Sequence, residues 1–149
     1  MIASASNANS TRRLLLTLPL VGVGLFLLGR SPKNPEFNVK EVLVEEAKLL
    51  IAAGALVIDV RERPAYEAKH IAGALLAPVA TLSAAIPASL EGARTQPVVV
   101  YCGDGTALGP EGTHLLNKAG FTQAVNLKPG IQGWVSAGLP IESGKGKQA

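Results

Sequence analysis

One cysteine stands in the 149 residues of this chain, and its surroundings suit a nucleophile. Val98-Val99-Val100-Tyr101 is a continuous apolar run, the pattern of a short strand covered on both faces. Cys102 follows at its carboxyl end. Gly103, Asp104, Gly105, Thr106, Ala107 and Leu108 come next, small or polar for the most part, and Gly109 closes the stretch. In open α/β sheets ligands bind in the crevice beyond the carboxyl ends of the strands. A glycine-rich turn at that place lets backbone N–H groups converge on a negative charge, because glycine reaches positive φ at little cost. Residues 103–108 therefore read as an anion cradle and Cys102 as a thiolate held in it. A buried and inert cysteine is the competing reading, a common fate for a free thiol.

Two further groups have types that could serve chemistry. Asp59 lies close to the carboxyl end of the apolar stretch Ala55–Val60 and is followed closely by Arg61. An acid and a guanidinium at this spacing tie loops together by an ion pair with hydrogen bonds, or line the mouth of a pocket. His70 reads as a residue that packs a loop, Tyr66 as a ring lying over the loop after the second strand, and Trp134 as core.

The elements needed to position these groups can be read from periodicity. Apolar Leu43, Ala47, Leu50 and Ile51 among Glu45, Glu46 and Lys48 mark an amphipathic helix within Asn38–Ala53, after a short strand at Val39–Val42. Ala55–Val60 is a buried strand, Arg61–Lys69 a polar helical turn, and Leu75-Leu76 a short strand closed by Pro78. A helix is expected over Thr81–Leu90, interrupted by Pro87, and another over Thr113–Ala119, capped by Gly120. Ala124–Leu127 is the last strand and Ile131–Ala137 the closing helix. Strands alternating with helices at this spacing predict a parallel α/β sheet.

Charge and hydropathy are distributed unevenly. The net charge of +3 comes from Arg12, Arg13, Arg30 and Lys33 set against Glu36, and the remaining residues are neutral. The sequence pI of 9.2 thus describes the N-terminal segment and implies no nucleic-acid partner. A single cysteine excludes an intrachain disulfide and a multi-cysteine zinc site. Leu14–Gly29 is uncharged and apolar behind Arg12-Arg13, the order of a signal or membrane anchor. No small-x-small cleavage site follows it. Residues 1–30 are therefore expected to anchor the chain in an inner membrane through residues 14–29. The N-terminus would then be cytoplasmic and the rest periplasmic; the alternative is secretion to the periplasm after cleavage. Ser31–Phe37, with Pro32 and Pro35, is a linker. Residues 38–143 form the domain, and Gly144–Ala149 a polar tail.

Several segments together resemble a single rhodanese domain. They are Leu56-Val57-Ile58-Asp59-Val60-Arg61-Glu62, His70-Ile71-Ala72-Gly73-Ala74, Val98–Cys102, Ala119-Gly120-Phe121, and Asn126-Leu127-Lys128-Pro129-Gly130-Ile131-Gln132-Gly133-Trp134. The resemblance covers about Asn38 to Ile141. It implies a parallel five-stranded sheet flanked by helices. It also implies a sulfurtransferase, or a persulfide carrier, in which Cys102 takes sulfane sulfur from a small donor such as thiosulfate, a polysulfide or a persulfide. A thiol or protein acceptor would take the sulfur on. No metal or organic cofactor is required.

The loop departs from the family pattern, in which a basic residue about five after the cysteine holds an anionic donor. Residues 102–111 contain no Arg or Lys, and Asp104 and Glu111 add negative charge. Related phosphatases of this fold need an Arg six residues after the cysteine, where this chain has Leu108, so phosphatase activity is not expected. Lys128 or Arg61 are the candidates to supply the missing cation. Two other readings compete with the sulfurtransferase. One is a catalytically degenerate rhodanese module that binds a partner protein or an anion, and the other is a redox-sensing thiol.

Overall fold

Apolar strand β5 (Val98–Tyr101), with all four residues buried, is central to the sheet that organises residues 33–149, the part of the chain that this computed structural model describes. Burying each of these valines contributes about 1.5–3 kcal/mol. On one side β5 pairs with β2 (Leu56–Asp59), and on the other with β6 (Ala124–Leu127). Beyond β2 lie β4 (Leu75–Leu76) and β8 (Lys147–Gln148), and beyond β6 lies β1 (Glu41–Val42). Every pairing in this six-stranded sheet is parallel. A separate antiparallel pair joins β3 (His70–Ile71) to β7 (Ile141–Glu142).

Because a strand alternates its side chains, each face of the sheet builds its own core. One contains Val57, Val99, Tyr101 and Leu127 under helices α1 (Val44–Ala52), α2 (Arg63–Ala68) and α5 (Gly130–Ser136). The other contains Ile58, Val60, Val100 and Cys102. Its cover is α3 (Val79–Ala84), a 3-10 turn at Ala88–Ala93, and α4 (Leu108–Lys118). Tyr101 and Cys102 are therefore neighbours in the chain that belong to opposite cores.

The structure corrects several expectations. The sheet has six strands rather than five, because part of the expected polar tail forms β8 on the edge of β4. There the Ala149 N–H donates to the Leu76 carbonyl at 3.1 Å and the Lys147 N–H to the Tyr66 hydroxyl at 3.0 Å. Both residues of β8 are exposed, so the strand carries no apolar pattern. The expected helix over Thr81–Leu90 is two elements, α3 and the 3-10 turn, since Pro87 cannot continue a helix. Helix α4 begins at Leu108, five residues before the expected start. Gly109, Pro110 and Gly112 hide it in the sequence, but Pro is tolerated in a first turn. Gly112 also brings the helix onto Val60, whose Cγ1 lies 2.8 Å from where a Cβ would stand. The first strand and helix fall where expected, β1 within Val39–Val42 and α1 at Val44–Ala52. The expected N-terminal hydrophobic helix lies outside the described residues. Among the described residues no helix is long and apolar enough to cross a membrane.

Candidate functional site

Parallel pairing delivers Cys102 to the carboxyl edge of the sheet, one residue beyond β5, with 3% of its surface exposed. The chain then turns through Gly103–Ala107 into α4. The turn is held from behind by the start of α5. The Ile131 N–H donates to the Cys102 carbonyl, and the Gln132 N–H to the Gly103 carbonyl, both at 3.0 Å. Gly130 makes this approach possible, with φ +69° and a would-be Cβ 2.7 Å from the Cys102 oxygen. A peptide's carbonyl and amide point in opposite directions, so carbonyls drawn toward α5 leave the following amides facing away from it.

The Gly105 N–H is the amide that reaches the thiol, 3.3 Å from Cys102 Sγ. Gly105 has φ +81°, and a Cβ there would stand 2.6 Å from the Leu127 carbonyl oxygen. Beyond it, α4 opens at Ala107 with no side-chain cap, so the amides of its first turn and the positive end of its dipole are available to an anion at the loop. Gly109, in that first turn, lies directly under the sulfur. A Cβ on it would be 3.2 Å from Sγ and would overlap Asn126 Oδ1.

The remaining loop side chains turn outward. Asp104, Thr106, Ala107 and Leu108 are exposed. Asp104 Oδ1 accepts hydrogen bonds from the Thr106 hydroxyl at 2.8 Å and the Thr106 N–H at 3.0 Å. These bonds, the hydroxyl's first, hold the Asp104 carboxyl below the usual aspartate range. Leu108 is the first residue of α4 rather than part of the loop and is 40% exposed. The loop thus offers the sulfur backbone amides and no cation of its own.

Neither candidate cation is free. Arg61 is committed to Asp59, with Nη2 to Oδ2 at 2.7 Å and Nε to Oδ1 at 3.0 Å, and to the Lys69 carbonyl at 2.7 Å. Burial works against the Arg61 charge, yet the hydrogen bonds and attraction of Asp59 outweigh it and keep the guanidinium above its ordinary range. The pair adjoins Tyr101, whose ring Arg61 covers at 5.7 Å. Burial, then the Asp59 charge, pushes the Tyr101 hydroxyl far up, and this hydroxyl accepts the Ile71 N–H at 2.9 Å. Tyr101 belongs to the core opposite that of Cys102, so the structure brings Asp59 and Arg61 together but not to the thiol. Lys128 Nζ is 3.5 Å from Glu41 Oε2. His70 stacks on Tyr66 with ring centres 3.8 Å apart and is buried.

Two residues at the site were not singled out in the sequence. Asn126 interrupts the apolar strand Ala124–Leu127 and is fully buried, and Glu41 is a buried acid in the edge strand β1. A polar residue inside an apolar strand is the signal that marks them, since an unpaired buried polar group is costly.

Known proteins resemble this chain in sequence and fold. Residues 43–137 match the rhodanese-like domain family. The uncharacterized protein YibN of Escherichia coli is 32% identical over 135 residues, spanning 90% of this chain and 94% of that protein. The thiosulfate sulfurtransferase GlpE of Pseudomonas fluorescens is 32% identical over 95 residues, 64% of this chain and 84% of its own length. Among solved structures, the human single-domain sulfurtransferase TSTD1 superposes with a TM-score of 0.57 at 29% identity, covering 64% of this chain and 95% of that one.

Proposed function

This chain belongs to the rhodanese-like domain family, and we propose that it is a sulfurtransferase working through a persulfide on Cys102. The observation that carries the reading is the thiol itself, set at the carboxyl end of a central strand with the Gly105 N–H on its sulfur and an uncapped helix behind the loop. In the first step the Cys102 thiolate attacks the outer sulfur of a donor X–S⁻. The Cys102 Sγ–S bond forms, the X–S bond breaks with its electron pair leaving on X, and Cys102 carries Sγ–S⁻. In the second step an acceptor thiolate attacks that outer sulfur and leaves as the new persulfide, which returns Cys102 to the thiolate. Both resting states are anions, and the same amides serve each.

The charge of the loop argues for the donor. A dianion such as thiosulfate gains from a cation beside the cysteine, but Arg61 is held by Asp59 on the opposite face of the sheet and Lys128 is engaged by Glu41. A persulfide is a monoanion, and a polysulfide separates its two charges along its sulfur chain, so each depends less on a cation beside the cysteine, and we favour them over thiosulfate. The apolar run 14–29 behind Arg12-Arg13 supports a membrane tether with the domain on the periplasmic side. Membrane fractionation, followed by protease treatment of intact spheroplasts, tests that placement.

The deciding experiment is the intact mass of the protein after incubation with a polysulfide and, separately, with thiosulfate. The expected result is a gain of one sulfur with polysulfide, removed by dithiothreitol and absent in Cys102→Ser. If no donor adds sulfur while iodoacetamide still labels Cys102, the thiol is reachable but the cradle does not serve sulfur transfer. The binding-module reading then replaces this one.

A further inference from the structure

Register places three side chains in a row on the face of the sheet that carries the thiol. Glu41 pairs with Asn126, and Asn126 with Val100, two residues before Cys102. In-register residues of parallel strands share a face, and so do residues two apart on one strand. The row thus runs from the edge strand β1 to the sulfur.

Hydrogen bonds link the row to the loop. Asn126 Nδ2 donates to the Gly105 carbonyl at 2.9 Å and to Glu41 Oε1 at 3.4 Å. Both partners are acceptors, which assigns the nitrogen to that side of the amide. Gly105 is the residue whose N–H lies on Cys102 Sγ. Glu41, 3% exposed, is itself held by Asn34 Nδ2 at 3.3 Å and by Lys128 Nζ at 3.5 Å. The other end of the amide, Asn126 Oδ1, has no hydrogen-bond partner among the described residues and occupies the place a Cβ on Gly109 would take, a place 3.2 Å from the sulfur.

We propose that Asn126, oriented by Glu41, is a positioning residue for the sulfur: it grips the Gly105 carbonyl and so holds the Gly105 N–H on Cys102. Lys128 has a role in this arrangement that differs from holding a donor. Its charge offsets the buried Glu41 carboxylate, so the row reaches the thiol without a net negative charge, which would oppose the thiolate. Asn126 is suited to the place because a carboxylate there would face the Gly105 carbonyl and Glu41, two acceptors.

The inference rests on Cys102 acting as a thiolate, and its test needs no sulfur donor. The rate of iodoacetamide alkylation of Cys102 is followed across pH in the full-length protein and in Asn126→Ala, Glu41→Ala and Glu41→Gln. Reagent access scales the rate at every pH, whereas the midpoint of the profile reports how well the thiolate is held. In Asn126→Ala the midpoint is expected to move about one unit to higher pH, a roughly tenfold smaller thiolate fraction below it. Glu41→Ala is expected to move it the same way by less, and to add nothing in the Asn126→Ala background. Glu41→Gln keeps an acceptor for Asn126 and is expected to restore the midpoint. Unmoved midpoints in folded Asn126→Ala and Glu41→Ala would overturn the proposal, whatever their melting temperatures. If Asn126→Ala fails to fold, the Glu41→Ala and Glu41→Gln pair decides alone. A shifted midpoint in a protein that takes sulfur from no donor would leave the positioning intact and remove only the sulfurtransferase reading.

Discussion

Replacing Asp59 by alanine asks whether the Asp59–Arg61 pair holds the fold or serves the thiol. Asp59 is fully buried and accepts from the Arg61 backbone N–H at 3.0 Å and from the guanidinium through Nε and Nη2. The Arg61 side chain is 12% exposed, so without Asp59 its charge stays out of water with the Lys69 carbonyl and the Tyr101 ring beside it and no counter-charge. Removing one partner of a buried pair costs about 3–5 kcal/mol, because the remaining charge is uncompensated. A domain of this size loses roughly 4 °C of melting temperature per kcal/mol, so Asp59→Ala is expected to melt ~12–20 °C lower. Circular dichroism melts and urea titrations of Asp59→Ala, Arg61→Ala and the double variant measure the effect. The double variant is expected to lose less than the two singles together, since removing Arg61 also removes the orphaned charge. Cys102 is expected to keep its alkylation profile at temperatures where Asp59→Ala remains folded. The reasoning is refuted if Asp59→Ala melts within about 1 kcal/mol of the parent and the profile of Cys102 shifts. The pair would then act on the thiol rather than on the loops.

Three other variants test the geometry. Tyr101→Phe leaves the Ile71 N–H without its acceptor and is expected to cost about 1–3 kcal/mol in urea unfolding. The raised Tyr101 and Tyr66 hydroxyls give the fold stability that is complete below the unfolded tyrosine value near pH ~10 and is lost as pH rises above it. Tyr101→Phe should therefore lose less stability than the parent between pH 9 and 11 (~10 ± 1), with a steeper loss refuting the assignment. Thr106→Ala removes the hydroxyl that lowers the Asp104 carboxyl, so an NMR titration should find that carboxyl nearer the ordinary aspartate range. Gly109→Ala drives a Cβ into Asn126 Oδ1 and to 3.2 Å from the sulfur, and should abolish sulfur loading by intact mass while iodoacetamide shows the thiol still present.

Much of the architecture was legible in one dimension. Strands β2, β5 and β6 are mostly apolar runs, and a run covered on both faces shows itself wherever the chain is read. The closing helix was read within one residue of its observed bounds, Gly130–Ser136. Most of the edges were not legible. Strands β3, β7 and β8 have two residues each, and the backbone of a neighbouring strand rather than any side-chain pattern recruits them, whereas β1 falls within the strand expected at Val39–Val42. The start of α4 was hidden because its first turn contains Gly109 and Pro110, which local preference counts against a helix and which packing requires.

The site divides along the same line. A lone cysteine after an apolar strand and before glycines was enough to find the thiol, because composition and order are properties of the chain. Which groups face that thiol depends on the sheet. Alternation put Tyr101, Asp59 and Arg61 toward one core and Cys102 toward the other, although they lie close in sequence. Parallel pairing brought Glu41 and Asn126, 85 residues apart, into one register beside the loop. Composition and order located the thiol; the neighbours that surround it were decided by the pairing of distant strands, which no single stretch of residues encodes.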